Sequence, residues 1–158
     1  MLLILLQILA GWYVADAVGG LFHWYIDNSD EKTSLIPHMV RDFQSHHEDP
    51  GLMLKTGLLR LSLEPMIASL LTYGMAFVCW PAFFIALGFG GGLTQVSHYY
   101  SHIQRPPVVV RGLQALRLFN PPEGHGLHHA DFDRDFCILC GWADTLVNRI
   151  VRILRGKS

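Results

Sequence analysis

The sequence predicts an all-α integral membrane protein of one domain, residues 1–158, with about three transmembrane helices and shorter interfacial helices on one side of the bilayer. Three observations predict it. The 158-residue chain is 51% hydrophobic and 16% charged, against roughly 25% charged residues in a typical soluble domain, and its mean hydropathy is +0.29. Two long stretches are almost free of charge, and all 12 lysines and arginines lie outside them. A net charge of −1 gives no basis for binding nucleic acid. The cysteines, Cys79, Cys137 and Cys140, are odd in number and lack a secreted-scaffold spacing, so no disulfide framework is expected.

The first apolar stretch runs from Met1 to about Phe22, with Asp16 its one charge. It lacks a basic leading region and an A-x-A-like cleavage site, and it continues into HWYID, so an anchor is expected rather than a signal peptide. A polar loop, DNSDEKTS, precedes a short helix from about Pro37 to His47 that ends near Asp49-Pro50. The second apolar stretch, residues 65–97, carries no charge. As one helix it would be about 50 Å long, too long for a hydrocarbon core of about 30 Å. Trp80-Pro81 near its middle is therefore read as the turn of a helical hairpin.

Three crossings put residues 24–64 and 98–158 on one side. The basic residues, from Lys32 to Lys157, make that side cytoplasmic by the positive-inside rule. The nine histidines fall there too, with His23 at the boundary. Beyond RPP at 105–107, residues 108–119 place Arg111, Gln114 and Arg117 at three-residue spacing on one helical face. After NPPEG, residues 142–154 carry Val147, Ile150, Val151 and Leu154 on one face and Asn148, Arg149, Arg152 and Arg155 on another. Both segments are expected to be amphipathic helices, either lying on the leaflet or packing on the cytoplasmic cap.

The histidines cluster. His23 ends the first apolar helix, His46 and His47 sit in FQSHHEDP, His98 and His102 form HYYSH, and His125, His128 and His129 form HGLHH. Spacings of three and four residues put imidazoles on one helical face, where several nitrogens can converge on an ion. These are eight candidate metal ligands, with His38 a ninth that has no clustered partner. A single four-coordinate zinc would use about half of them, and the H-E-x-x-H pattern of a zinc hydrolase is absent. A haem needs at most two axial histidines. Eight imidazoles with few carboxylates fit two iron ions, which after reaction with O2 could take hydrogen from an unactivated CH2. The adjacent bilayer would supply a saturated chain as substrate.

The motifs ADAVGGLFHWYID, FQSHHEDP, SHYYSH, HGLHH and FCILCGW, in this order, resemble the Kua/CarF-type lipid desaturase family, a plasmanylethanolamine desaturase-like group of histidine-rich membrane enzymes. The resemblance covers roughly residues 15 to 155. It implies a lipid desaturase with a di-iron centre that uses O2 and an external electron donor such as ferredoxin or a cytochrome b5-like protein. It also implies the ligand set His23, His46, His47, His98, His102, His125, His128 and His129. This chain differs from the family pattern in having Gln44 and Ser45 where a basic and an acidic residue precede the paired histidines. It also has Leu116 or Arg117 near the place of a further histidine. Hydroxylation at the same centre, and a non-catalytic zinc-binding or zinc-transporting protein, are the alternatives the sequence leaves open. The lipid, the bond oxidised and the donor are not specified.

Among supporting residues, Asp16 lies inside an apolar helix, where a carboxylate needs a partner. Asp27 lies four residues beyond His23. Both are candidates for the layer of groups that hold the ligands in place. Asp131, Asp133 and Asp135 are read chiefly as a solvated loop. Gly19, Gly20 and GFGGG (88–92) suggest close helix packing or room for a lipid chain. CILC has apolar neighbours and no βαβ context, so Cys137 and Cys140 are expected to be buried structural thiols.

Overall fold

The computed structural model describes residues 1–156; Lys157, one of the basic residues used in the topology argument, lies outside the described residues with Ser158. Eight helices and no strand are found among the described residues: α1 (Leu2–Asp27), α2 (Pro37–Glu48), α3 (Gly51–Thr56), α4 (Leu58–Met75), α5 (Pro81–Ser101), α6 (Val108–Ala115), α7 (Pro122–Ala130) and α8 (Asp144–Leu154). The frame is α5 packed between α1 and α4.

The hairpin is present, with residues 76–80 as its turn and Pro81 in the first turn of α5, where its missing N–H costs no helix bond. Its first arm starts earlier than the apolar stretch. Pro65 lies inside α4 rather than at its start, and α4 takes in Arg60 and Glu64. Among the described residues, α1 is the one helix long and apolar enough to cross a membrane by length and composition. Charged Arg60 and Glu64 in α4, and the glycines and polar Thr94, Gln95 and Ser97 of α5, set the hairpin arms apart from it.

Small residues bring the helices close. A Cβ on Gly90 of α5 would lie 2.8 Å from the Ala15 Cβ of α1, and one on Gly20 would lie 2.7 Å from Cys137 Sγ. Gly20 is thus held against the FCILCGW segment. Most of that segment is buried: Phe136, Cys137 and Leu139 are fully enclosed, as is Ala143 just beyond it, and large side chains enclosed in this way stabilise by about 1.5–3 kcal/mol each.

Asp16 explains how such a loop survives burial. Its carboxylate accepts the backbone N–H groups of Cys140 (3.0 Å), Gly141 (3.3 Å) and Ala143 (3.0 Å). Ser97 Oγ donates to Leu139 C=O at 2.7 Å, and Asn120 Nδ2 to Cys137 C=O at 2.9 Å. The acceptors of Asp16, expected from the sequence beside the histidines, hold the 140–143 turn. Burial pushes the Cys137 and Cys140 thiols up, with Asp16 adding to the effect, and both remain unbridged.

Two amphipathic segments resolve differently. In α8, Val147 and Val151 bury against Phe136, Cys137 and Ala143, with Tyr13, Ala17, Leu21 and Trp24 of α1 alongside. It packs on α1 and the 136–143 segment. Residues 108–119 do not form one helix; α6 stops at Ala115. Arg117 adopts φ 55, and the Leu118 N–H returns to Leu113 C=O at 2.9 Å while Arg117 N–H reaches Gln114 C=O. This is a Schellman ending with an arginine in the position glycine usually holds. Arg117 consequently leaves the face that Arg111 and Gln114 share, and Gln114 is buried, donating to Asn120 C=O.

Candidate metal centre

Four elements bring the clustered histidines together: His23 from α1, His46 and His47 from α2, His98 and His102 from the end of α5, and His125, His128 and His129 from α7. Their nitrogens sort into two groups whose ligand atoms lie within 4.8 Å of one another. One is His46, His102, His125 and His129; the other is His23, Asp27, His47 and His128. The paired histidines explain the division. Successive residues on a helix point about 100° apart, so His46 and His129 turn to the first group and their neighbours His47 and His128 to the second.

In the first group, His125 Nε2 lies 3.0 Å from His102 Nε2 and 3.0 Å from His129 Nε2, and His98 Nε2 lies 2.9 Å from it on a third side. One ring nitrogen has one proton or one lone pair and cannot satisfy three imidazoles. Donors at right angles about an ion, at metal–nitrogen distances of about 2.1 Å, stand about 3.0 Å apart. The spacing matches the edges of a coordination shell.

The second group contains a carboxylate. Asp27 lies 3.2 Å from His23 Nε2, 3.4 Å from His47 Nε2 and 3.3 Å from His128 Nε2. Asp27 was expected to stand behind the imidazoles; its carboxylate lies within the same cluster of atoms as their nitrogens. The signal was its spacing of four from His23, which puts both on one face of α1.

The residues fit a metal by a test internal to the structure. The Nε2 atoms of His23, His46, His47 and His128 and both Asp27 oxygens are buried without a hydrogen-bond partner, an arrangement that costs free energy unless a cation satisfies them. The other nitrogens of His23, His46 and His128 are occupied. His23 Nδ1–H donates to Phe136 C=O at 3.0 Å, His128 Nδ1–H to Arg134 C=O at 2.8 Å, and His46 Nδ1–H to Phe43 C=O. These bonds select the tautomer that leaves the Nε2 lone pair free for an ion. His98 does the same through the Gln95 side chain at 3.3 Å.

The electrostatics agree. Burial, with neighbouring imidazoles adding to it, pushes His102 down to about 4 and His129 to about 3, and lowers His46 and His125 as well. All are neutral, and so able to ligate, at physiological pH.

His38 stands apart from both groups; it is half exposed and pairs with Glu64 at 3.2 Å. Asp133 pairs with Arg155, and Asp135 with Arg134 and Asn148, so these two acids serve the loop and α8. Gln44 carries a role the sequence did not reveal. Its Nε2 donates to the Ile26, Asp27 and Ser29 carbonyls at 3.2, 3.2 and 2.8 Å, tying α2 to the end of α1 and so to Asp27.

A cavity of about 470 Å³ reaches His23, His46 and His98. Phe22, Met39, Phe43, Met53 and Leu61 make much of its wall, and Arg41, Asp42, Arg60 and Glu64 are its charged lining.

The lipid desaturase domain family model matches residues 12–154. The chain is 30% identical over 152 residues to a plasmanylethanolamine desaturase of Myxococcus xanthus, covering 89% of this chain and 54% of that one. It is 30% identical over 154 residues to the chloroplastic fatty acid desaturase 4 of Arabidopsis thaliana, covering 87% and 46%. It is 28% identical over 158 residues to plasmanylethanolamine desaturase 1 of Mus musculus, covering 89% and 58%. The chain spans about half the length of these curated relatives. No solved structure matches it.

Proposed function

The chain belongs to the lipid desaturase family, and we propose that it removes two vicinal hydrogens from an acyl or alkyl chain of a membrane lipid, with O2 as oxidant and two bound iron ions. The observation that carries this reading is the apolar cavity running up to His23, His46 and His98, at the point where the two ligand groups meet.

The reaction balances as follows: a CH2–CH2 segment, O2, two electrons and two protons give CH=CH and two water molecules. Iron bound here would supply O2 activation and hydrogen abstraction from an unactivated C–H bond, chemistry that side chains do not perform unaided. His46, His102, His125 and His129 would hold one ion, with His98 adjoining, and His23, Asp27, His47 and His128 the other. The carbonyls of Phe136, Phe43 and Arg134 keep three of these rings oriented. Phe43 and Met53 line the cavity and keep a bound chain dry beside them.

The α1 helix and the α4–α5 hairpin seat the protein in the bilayer as a multi-pass chain, with the metal centre on the cytoplasmic face. Electrons come from a carrier of the ferredoxin or cytochrome b5 kind. Half-exposed Phe132 has its ring centroid 4.6 Å from that of His47.

The test is turnover by the iron-loaded chain in vesicles of deuterium-labelled phospholipid with a reducing system. Loss of two deuterons from one chain supports the proposal. A product that gains an oxygen would reassign the reaction to hydroxylation, and unaltered lipid with a zinc-filled site would overturn the enzymatic reading.

A further inference from the structure

We propose that the rim of the cavity is a phosphate subsite centred on Arg60, which takes the phosphodiester of a membrane phospholipid while the lipid's chain runs inward past the imidazoles. This rests on the reading of the cavity as the substrate site.

The rim's other guanidinium is committed. Arg41 pairs with Glu31 at 3.3 Å and approaches Asp42 at 4.0 Å. His38 pairs with Glu64 at 3.2 Å, a contact that joins α2 to α4 across the rim. Glu64 lies one turn beyond Arg60 on the same face of α4, and it is the nearest acid on that helix that could neutralise Arg60. It is engaged with His38 instead. Arg60 makes no ion pair among the described residues, yet it lines the same cavity as His23, His46 and His98.

Its depth suits a lipid phosphate. Leu59 and Leu63, on either side of it in α4, are 83% and 54% exposed. Phe22 both lines the cavity and belongs to the exposed apolar surface of α1. Arg60 therefore stands where an exposed apolar surface meets a charged edge, the level at which a bilayer presents its phosphates. A guanidinium there offers a planar fork that matches two phosphate oxygens. A soluble acyl carrier would bring a phosphate too, but it would have no use for the apolar surface around the rim.

Equilibrium binding to the iron-loaded chain in detergent tests this without turnover. The probes are phosphatidylglycerol, phosphatidylethanolamine, diacylglycerol of the same chains, and palmitoyl coenzyme A. The wild type is expected to bind both phospholipids ~10-fold more tightly than diacylglycerol, the scale of a charge-assisted hydrogen bond. Arg60→Ala is expected to abolish that preference with diacylglycerol affinity and iron content unchanged, and Arg60→Lys to keep part of it. An Arg60→Ala protein that retains the preference, a wild type without one, or a variant that loses diacylglycerol equally would overturn the subsite. Tighter, Arg60-dependent binding of palmitoyl coenzyme A than of either phospholipid would overturn the phospholipid as occupant. Failure of the turnover experiment bears on the proposed reaction and leaves this result standing.

Discussion

The Asp27 carboxylate lies 3.3 Å from His128 Nε2, joining the end of α1 to α7. His23 and His47 complete the ring around the same carboxylate at 3.2 and 3.4 Å. Two of the three Nε2 atoms around this acid, those of His23 and His128, carry no proton, because the carbonyl bonds place it on the opposite nitrogen. The carboxylate has the position of a ligand.

Replacing Asp27 by Ala should therefore weaken metal binding in the second group by at least about 10-fold, the lower end of what supporting groups alone contribute. Iron should fall toward one ion per folded chain, measured by elemental analysis. Full occupancy in Asp27→Ala would exclude it as a ligand.

Asp16 is expected to behave differently, although both acids belong to α1. Asp16→Ala leaves three backbone donors unpaired, two of them buried and one partly buried. The loss should be about 3–5 kcal/mol, because each such group costs about 1–3 kcal/mol and neighbours partly compensate. Denaturant unfolding measures it. The fraction that still folds should carry its full metal content, which separates a loop anchor from a ligand-holding acid.

Gln44→Ala should cost about 1–3 kcal/mol and loosen α2 from the carbonyl end of α1. The expected signature is a raised exchange rate at the amides of α2, seen by hydrogen–deuterium exchange, together with weaker retention of both ions, since α2 supplies one histidine to each group.

The metal-free protein should lose stability as the pH falls below about 6.5, the ordinary histidine value. His102 and His129 are held down to about 4 and about 3 by burial. Between those values and 6.5 the unfolded chain binds more protons than the folded one, so stability is full above 6.5 and declines toward pH 4 and below. Asp144 opposes this in part. Burial raises it to about 6, so the folded state takes up that proton first and gains as the pH drops below 6. The histidines outnumber it. Urea midpoints of chelator-treated protein at pH 7.5, 6 and 5 should fall in that order, and a midpoint that rises toward pH 5 would contradict the assignment.

Much of this was legible in the residues because it is local. The start of α2 at Pro37, the turn before Pro81 and the spacing of the HGLHH rings depend on neighbours within a few positions. What was hidden depends on partners far along the chain. The spacing of Asp27 from His23 was visible, but nothing local shows that His47 and His128 arrive on its other sides. The carboxylate of Asp16 was correctly expected to need a partner, and that partner is backbone of a loop more than a hundred residues later. Arg117 in a left-handed conformation ends α6 where its hydrophobic pattern would have carried on, since the chain must turn there to bury Phe119 and Asn120.

Metal analysis of the purified protein from iron-replete cells, wild type beside His128→Ala, His129→Ala and the double variant, tests the central claim most directly. The two residues fall in different ligand groups. The account predicts two irons per wild-type chain, about one in each single variant and little in the double. Stoichiometric zinc that ignores the iron supply, or iron unaffected by either substitution, would contradict it.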